Sequence, residues 1–231
     1  MKREGADLFE PRAALPLVEG WSAEGVIRAL EPLVGEARRR RLWEVIERRL
    51  DGVTLLMDAP HDPHNGSAIL RSCEAFGVQT VHVVERIEPF LAARRIAKGT
   101  EHWVDVVGHP SVDHALSELR NAGYQLVASH PAGELEPSEL AALPRLALIL
   151  GNEHDGICRA LEQAAERSVR IPMRGFVESL NVSVAAAILL AAATAGRPGD
   201  VPTERRRLLY ARGLVQSVPR ARDVLGALEP A

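Results

Sequence analysis

Three short segments of the 231-residue sequence place polar side chains directly after apolar runs. They are His61–Asn65, Gly151–Gly156 and Arg174–Asn181. Ligands of parallel α/β sheets bind beyond the carboxyl ends of the strands, so segments in this position are candidate sites. Residues in or near them carry amide, guanidinium, carboxylate and hydroxyl groups able to orient or polarise a reacting group. These candidates are Asn65, Arg71, Glu153, Ser179 and Asn181.

Each candidate also has an ordinary structural explanation. Asn65 precedes a helical pattern, which is typical of an N-cap, and Ser179 and Asn181 stand in the same relation to a later helix. Glu153 is typical of a carboxylate favoured by a helix dipole, and Arg71 of a surface arginine. Their joint occurrence at predicted strand ends favours a functional site.

The sequence lacks the motifs of several common binding and catalytic sites. No GxGxxG follows a strand, and neither GxSxG nor HExxH occurs. GNEHDGIC has glycines at P-loop spacing, but Ile157-Cys158 replaces the Lys-Ser/Thr pair that binds phosphate and magnesium. His61 and His64 have no third metal ligand nearby in sequence, so we expect no metal.

The elements that must position these residues alternate between apolar runs and helical segments of about ten residues. This alternation predicts a parallel, Rossmann-like α/β sheet of about six strands between Val53 and Ile171. One helix is expected near Phe90–Lys98. The apolar run Val182–Ala195 is shorter than the roughly 20 residues that span a bilayer, which indicates a buried helix. The candidate strands are VTLLMD, VQTVHVV, WVDVV, YQLVAS, RLALIL and SVRIP.

The remaining sequence divides into flanking segments. Residues 1–21 lack periodicity and are expected to form a loose tail. Residues 22–52 form a helical extension interrupted at Pro32 and Gly35, because neither residue favours a helix interior. Residues 53–196 make the α/β domain, and residues 197–231 a linker followed by a basic helical tail.

The composition of the sequence limits which binding partners and which cellular compartment are expected. A net charge of -3 creates no general attraction for nucleic acid, so an anionic partner must bind local patches such as Arg38–Arg41 and Arg205–Arg207. Cys73 and Cys158 have no metal-ligand or CxxC spacing, which indicates free thiols. The N-terminus has no signal-peptide apolar region, and a cytoplasmic protein is expected.

Three motifs carry a resemblance to a known family. "HDPHNGSAILRSCEAFGV", "LILGNEHDGI" and "IPMRGFVESLNVSVAAAILL" resemble, in order and spacing, the motifs of the SpoU/TrmH family of SPOUT RNA 2′-O-ribose methyltransferases. The similarity runs from about Glu36 to Ala195. It implies a C-terminal deep trefoil knot, S-adenosyl-L-methionine as methyl donor, and a homodimer whose active site uses both subunits.

The resemblance also implies residue roles. Arg71 is catalytic and oriented by Asn65, while Glu153, Ser179 and Asn181 shape the reaction centre. The residues implied to bind the donor are Ser129, Leu150, Gly151, Asn152, Ile171, Met173 and Leu180. Those implied to contact RNA are Arg41, His64, Arg38, Arg205 and Arg206.

The implied reaction is in-line transfer of a methyl group to a ribose 2′-oxygen, which needs alignment and stabilisation of a developing alkoxide but no metal. Arg71 acts either as a base or as a cation. A free guanidinium loses its proton only above about pH 12, which favours the cation, but both roles stay open.

The implied substrate is tRNA, with guanosine 18 of the D-loop as the expected target. An rRNA ribose is the alternative within the same chemistry. A catalytically silent RNA-binding protein is disfavoured by the intact candidate set, and a Rossmann-type small-molecule binder by the missing glycine motif.

Departures from the family pattern leave the target open. Asp62 stands where the relatives have Lys in HKPHN, which puts an acid near the implied RNA path. The segment Ala97–Trp103 is only loosely similar to the Gly/Ser-rich loop of the relatives, and residues 1–35 have no counterpart.

Overall fold

The described part of the chain contains a six-stranded parallel sheet. The structure is a computed structural model that describes residues 18–60, 62–84, 103–152 and 154–228. All five strand pairings are parallel, which confirms the predicted α/β sheet. The strands are β1 Val53–Asp58, β2 Thr80–Val84, β3 Asp105–His109, β4 Gln125–Ser129, β5 Leu146–Leu150 and β6 Arg167–Val169.

The strand order is β3-β2-β1-β5-β4-β6. Strands β1 and β5 are neighbours in the middle of the sheet, where Leu55 is paired with Leu148. Every residue of both strands is buried, which explains why they read as continuous apolar runs. The chain moves outward from β1 to β3 and then crosses to the other half. The carboxyl ends of β4, β5 and β6 are therefore adjacent.

Helices connect and flank the strands. None in the described residues is long and apolar enough to cross a membrane. The helix expected near Phe90–Lys98 lies outside the described residues. The helices are α1 Ala23–Leu30, α2 Glu36–Ile46, α3 Pro63–Ala75, α4 Val112–Asn121, α5 Arg159–Ala164, α6 Val182–Thr194, α7 Thr203–Ser217 and α8 Ala221–Gly226, with 3₁₀ helices at Glu31–Leu33 and Pro137–Ala142.

Helix α3 begins earlier than the sequence pattern predicted. Asp62 is its N-cap, and its Oδ1 accepts a hydrogen bond from the His64 N–H at 2.8 Å. Pro63 follows at the first helical position, which suits its fixed φ and missing N–H. Asn65 therefore lies inside the first turn, and the interpretation of Asn65 as an N-cap is wrong. Asn181 does cap α6, as the alternative reading expected.

The chain divides into two compact units. The first unit contains the described residues between 51 and 197, which include the sheet and helices α3 to α6. Helix α6 packs there against α3 and against the 3₁₀ helix Pro137–Ala142.

The second unit combines residues 18–50 with residues 198–228. Helices α1 and α2 pack against α7, where the rings of Trp43 and Tyr210 stack 4.4 Å apart. The Tyr210 hydroxyl donates to Glu31 Oε1 at 2.7 Å. Burial and this hydrogen bond raise the pKa of Tyr210 to about 12. The break between α1 and α2 falls at Pro32 and Gly35, as predicted, whereas α8 was not anticipated.

Candidate active site

A cleft with a volume of about 1120 Å³ lies at the carboxyl ends of β4, β5 and β6. Its walls come from three segments that are far apart in sequence, because parallel strands bring their carboxyl ends to one edge of the sheet. Every residue that the resemblance assigned to donor binding lines this cleft. They are Ser129, Leu150, Gly151, Asn152, Ile171, Met173 and Leu180.

The loop after β5 is closed by its own hydrogen bonds. Asn152 Oδ1 accepts from the N–H groups of His154 at 2.9 Å and Asp155 at 2.8 Å, and the Asn152 N–H donates to the Gly156 carbonyl at 3.0 Å. A Cβ on Gly151 would overlap the backbone of Gly156 and Ile157. Glycine at position 151 therefore allows the loop to close beside the cleft. The candidate Glu153 belongs to this loop but lies outside the described residues.

The segment between β6 and α6 also lines the cleft. It contains neither helix nor strand from residue 170 to residue 181. Ile171, Met173 and Leu180 are half-buried, whereas Ser179 is exposed and has no hydrogen bond to the described residues. The cleft consequently offers apolar surface beside hydroxyl and charged groups. Such a lining suits a ligand that combines a flat apolar group with polar substituents.

One hydrogen bond connects two of the predicted catalytic residues across 116 positions of sequence. The Asn181 side-chain NH₂ donates to Asn65 Oδ1 at 3.1 Å. The other end of the same amide caps α6, because Asn181 Oδ1 accepts from the Ser183 N–H at 2.8 Å and from Ser183 Oγ at 2.6 Å. Asn181 thus places the start of α6 and the first turn of α3 in fixed relation.

Arg71 lies on α3 with an exposed side chain. It has no hydrogen bond or ion pair with the described residues, and it is not among the residues that line the cleft of its own chain. His64 is likewise exposed in the first turn of α3. Ser179 and Asn181 therefore line the cleft and Asn65 is hydrogen-bonded to Asn181, whereas neither Asn65 nor Arg71 lines the cleft of its own chain.

Sequence reasoning missed several ionisable residues around the cleft. His130, Arg170 and Glu178 line it, and the first two directly follow β4 and β6. The rule that located the other loops, polar residues at strand ends, would have identified these two. His130 Nε2 lies 3.6 Å from Glu162 Oε1, and Arg170 Nη2 lies 3.3 Å from Glu136 Oε1. Exposed pairs of this kind stabilise little, so they leave both residues able to meet a ligand.

Asp58 is a further missed residue. It ends β1, is completely buried, and its Oδ2 accepts from the Cys158 N–H at 2.7 Å. Cys158 is the N-cap residue of α5, immediately after the loop 151–157. The buried carboxylate thereby connects the end of β1 to the cleft-lining loop.

The predicted RNA-contacting arginines of the second unit differ in how they are bonded. Arg41 is exposed and lies 3.6 Å from Glu44. Arg38 Nε donates to Ser217 Oγ at 3.0 Å, and Arg205 is half-buried. Arg206 donates to the carbonyls of Val201 at 2.6 Å and Gly199 at 3.4 Å. Arg206 thus has an internal structural use, whereas Arg41 presents its charge to solvent.

The sequence is similar to those of known proteins. The chain matches the model of the SpoU rRNA Methylase family over residues 52–191. It is 36% identical over 156 residues to tRNA (guanosine(18)-2′-O)-methyltransferase of Thermus thermophilus, which covers 67% of this chain and 80% of the relative.

Two solved structures are also similar. The TrmH/SpoU tRNA modifying enzyme of A. aeolicus has a TM-score of 0.66 and 29% identity, covering 80% of this chain and 98% of that one. The SpoU methyltransferase AviRb of Streptomyces viridochromogenes, in complex with the cofactor AdoMet, has a TM-score of 0.55 and 27% identity over 64% of this chain and 60% of that one. With its motifs, sheet and cleft, the chain belongs to the SpoU rRNA Methylase family.

Proposed function

We propose that this protein transfers the methyl group of S-adenosyl-L-methionine to a ribose 2′-hydroxyl of RNA, with guanosine 18 of the tRNA D-loop as its target. The observation that carries the proposal is the cleft, since the residues implied to bind the donor converge there from three separate segments. The Thermus thermophilus relative, named for guanosine 18, supports the choice of target.

The residues of the cleft fit the methyl donor. Leu150, Ile171 and Leu180 supply apolar surface for an adenine ring, and the glycine at position 151 leaves room for a close approach of backbone. Ser129 and Asn152 add polar groups at the strand ends. When bound, the donor supplies a sulfonium methyl group that is open to attack by a nucleophile.

The same segments support a deep trefoil knot, which the resemblance implies for the C-terminal part of the sheet domain. Residues of the loop 151–157 and of the segment 170–182 line one cleft, and α6 packs against α3. True knots are rare in proteins. We infer that residues 146–196 form a trefoil knot in this protein, and that the cleft lies where the chain crosses itself.

Arg71 is the residue we assign to activation of the hydroxyl. A 2′-hydroxyl is a poor nucleophile until its proton leaves, and a nearby cation stabilises the alkoxide that develops. A guanidinium keeps its proton at neutral pH, so Arg71 acts as a fixed positive charge and not as the base. Asn65 positions α3 through its bond to Asn181, and Ser179 and Glu153 complete the reaction centre.

The active site is completed by a second copy of the chain. Arg71 does not line the cleft of its own chain, although α3 packs directly against α6. Helix α6 also leaves Val184 47% and Ile188 38% exposed, four residues apart on one face. An exposed apolar helix face next to an incomplete site is suited to homodimerisation through α6.

Mixed dimers test this arrangement. An Arg71→Ala chain and a chain whose cleft cannot bind the donor are each inactive alone, and we expect activity to return when they are combined. The measurement is methyl transfer after co-refolding or co-expression of the two chains. Activity that never returns in verified heterodimers argues for a site contained in one chain.

The segments 22–52 and 197–231 are proposed as the RNA-binding extension of the α/β domain 53–196. Arg41 and Arg38 on α2, with Arg205 on α7, are the phosphate contacts proposed for this extension, and His64 on α3 is the contact proposed for the α/β domain. Affinity should fall steeply with salt because phosphate contacts release counterions, and Arg41→Ala should reduce the slope by about one. A slope unchanged in Arg41→Ala argues against that contact. A tRNA substrate supports the proposal that the protein acts in the cytoplasm.

The experiment that tests the proposed function uses donor labelled in the methyl group and unmodified tRNA transcript. We expect label at the 2′-oxygen of guanosine 18 and none in a transcript that carries 2′-deoxyguanosine there. Label at another tRNA ribose or in rRNA would contradict the target but keep the chemistry. Donor binding with no label in any RNA would indicate a catalytically silent protein.

A further inference from the structure

A buried carboxylate at the end of β1 is bonded to the end of the loop that follows β5. Asp58, the last residue of β1, is completely buried, and its Oδ2 accepts from the Cys158 N–H at 2.7 Å. Gly156 and Ile157, which immediately precede Cys158, line the cleft. Asp58 does not line the cleft, so it can affect a ligand there only through the loop.

Two consecutive residues of β1 hold both ends of this loop. At its start, Leu150 of β5 is paired with Met57 of β1. At its end, Cys158 is hydrogen-bonded to Asp58, 100 positions away in sequence. The bonds of Asn152 described above lie within the loop and set its shape. The pairing with Met57 and the bond from Asp58 therefore set the position of the loop relative to the sheet.

The charge of Asp58 strengthens this connection. A buried carboxylate is costly unless it is paired or hydrogen-bonded. A carboxylate that accepts from a backbone N–H forms a charge-assisted bond, which is shorter and stronger than a bond between neutral groups. The separation of 2.7 Å is at the short end of the range for N–H···O bonds. A core carboxylate directed at one backbone N–H is suited to holding a loop in one conformation.

The backbone directly after Asp58 is fixed in an unfavourable conformation. Ala59 has a φ of 46°, in the left-handed region that favours glycine, and its N–H donates to the Val84 carbonyl at 3.0 Å. Strained backbone of this kind persists where surrounding structure fixes it, and it is concentrated at functional sites. The end of β1 is thus bonded to β2 through Ala59 and to the loop after β5 through Asp58.

We propose that Asp58 is a positioning residue for the methyl donor, because its carboxylate holds the loop 151–157 in place before S-adenosyl-L-methionine binds. This inference rests on the proposed function. A preformed loop binds a ligand more tightly than a mobile one, since less ordering entropy is lost on binding. The effect of Asp58 should therefore fall on KM for the donor and not on kcat, because the residue does not line the cleft.

Asp51 provides a matched control at the other end of β1. It precedes the strand by two residues, and its Oδ2 lies 3.0 Å from Nη2 of Arg145, which immediately precedes β5. Its side chain is 16% exposed. Both aspartates connect β1 to a segment that adjoins β5, but the cleft lies at the carboxyl end of β5, where Asp58 is. Loss of Asp51 should lower stability and leave the donor site unchanged.

Calorimetric titration of the full-length protein with S-adenosylhomocysteine, the donor without its methyl group, tests the proposal. We expect the dissociation constant to rise about tenfold or more in Asp58→Ala, as loss of a hydrogen bond to a charged group predicts. The rise should be smaller in Asp58→Asn, which keeps an acceptor oxygen but loses the charge. Asp51→Ala should bind like the wild type although its unfolding midpoint falls.

The Cys158 thiol supplies a second readout that needs no ligand. The chain has two cysteines, of which Cys73 is buried and Cys158 is half-buried. Labelling of Cys158 by a thiol reagent, followed by mass spectrometry, reports opening of the loop because the reaction needs access to the sulfur. We expect labelling about tenfold faster in Asp58→Ala and unchanged in Asp51→Ala. Bound S-adenosylhomocysteine should slow it in the wild type.

Several outcomes would overturn the proposal. One is wild-type donor affinity in Asp58→Ala, and another is unchanged labelling of Cys158 in that variant. Equal loss of affinity in Asp51→Ala would show an effect of general destabilisation. If Asp58→Ala does not fold, wild-type affinity in Asp58→Asn overturns the proposal. A wild type that binds no S-adenosylhomocysteine would instead contradict the proposed function, while the labelling comparison would still decide whether Asp58 holds the loop.

Discussion

The two ends of α6 are stabilised in opposite ways. At the carboxyl end, the Arg197 guanidinium donates to the carbonyls of Ala193 at 2.7 Å, Pro144 at 3.1 Å and Leu140 at 3.2 Å, and also to Leu143. At the amino end, Asn181 caps the helix beside an exposed, irregular segment that lines the cleft. Both ends are satisfied by side chains, but the carboxyl end is anchored to the 3₁₀ helix and its following residues, whereas the amino end adjoins the cleft.

Arg71 and Arg197 are residues of one type that differ in the same way, since one is hydrogen-bonded within the protein and the other is exposed. The guanidinium of Arg197 satisfies backbone carbonyls that otherwise lack partners near a helix end. Arg71 is exposed and has no hydrogen bond or ion pair among residues 18–60, 62–84, 103–152 and 154–228. The bonding of the two arginines favours a stabilising role for Arg197 and leaves the Arg71 guanidinium available for the proposed role in methyl transfer.

The largest effect is expected for Arg71→Ala. Loss of the cation should lower the rate of methyl transfer by about 10²–10³, comparable to removal of one oxyanion-stabilising donor. Donor affinity from isothermal titration and the unfolding midpoint should both stay near the wild-type values. Arg71→Lys is the control that keeps charge but loses the planar guanidinium. Near-normal turnover in Arg71→Ala would remove the proposed role of this residue.

Arg197→Ala should affect stability and not chemistry. Hydrogen bonds to charged groups contribute about 1.5–3 kcal/mol each but overlap, so we expect a loss of about 2–3 kcal/mol in the free energy of unfolding. Denaturant titration measures it, while turnover per folded molecule should be unchanged. The comparison fails if Arg197→Ala slows methyl transfer without loss of stability.

Gly151→Ala should weaken donor binding. The added Cβ would overlap the backbone of Gly156 and Ile157, and overpacking of this kind costs about 1–3 kcal/mol. We expect a decrease of about tenfold in donor affinity, measured by calorimetry. Gly175→Ala is the matched control on the segment between β6 and α6, since nothing lies within 4 Å of its Cβ. Equal affinities in the two variants would contradict a closed loop beside the cleft.

The smallest effects are expected for variants that separate the two roles of Asn181, which caps α6 and is hydrogen-bonded to Asn65. Asn181→Ala removes the cap of α6 and should cost about 1 kcal/mol of stability, which Asn181→Ser should largely restore. Asn65→Ala removes the 3.1 Å bond to Asn181 and leaves the cap. We expect slower methyl transfer in all three variants but reduced stability in Asn181→Ala alone. Thermal unfolding measured together with a methyl-transfer assay distinguishes the capping role of Asn181 from its role in the site. A large destabilisation in Asn65→Ala would show that the two roles cannot be separated.

Much of the α/β unit was predictable from sequence. All six strands overlap the predicted runs, although β3 begins two residues after the start of WVDVV and β6 ends at Val169, before the last three residues of SVRIP. The breaks at Pro32 and Gly35 separate α1 from α2. Local errors had local causes. Asn65 was interpreted as a cap because it precedes the apolar pattern, whereas the helix begins three residues earlier, at Pro63 after the N-cap Asp62. Helix α8 was missed because six residues are too few for a clear period.

The candidate site was predicted less completely. Its loops followed from the rule that ligands bind at strand ends, yet His130 and Arg170 obey the same rule and were not selected. The roles of Arg71, Ser179 and Asn181 came from the resemblance and not from their spacing. Their placement in space could not be obtained from periodicity, because it depends on how α3 and α6 pack.

The sequence by itself determined where strands and helices lie and which chemical groups stand at their ends. These properties depend on side-chain period, caps and breakers within a few residues. The tertiary structure alone decided the strand order, the contact between Asn65 and Asn181, and the hydrogen bond between Asp58 and Cys158. Such contacts depend on which faces of distant elements pack together, and no local pattern encodes that choice.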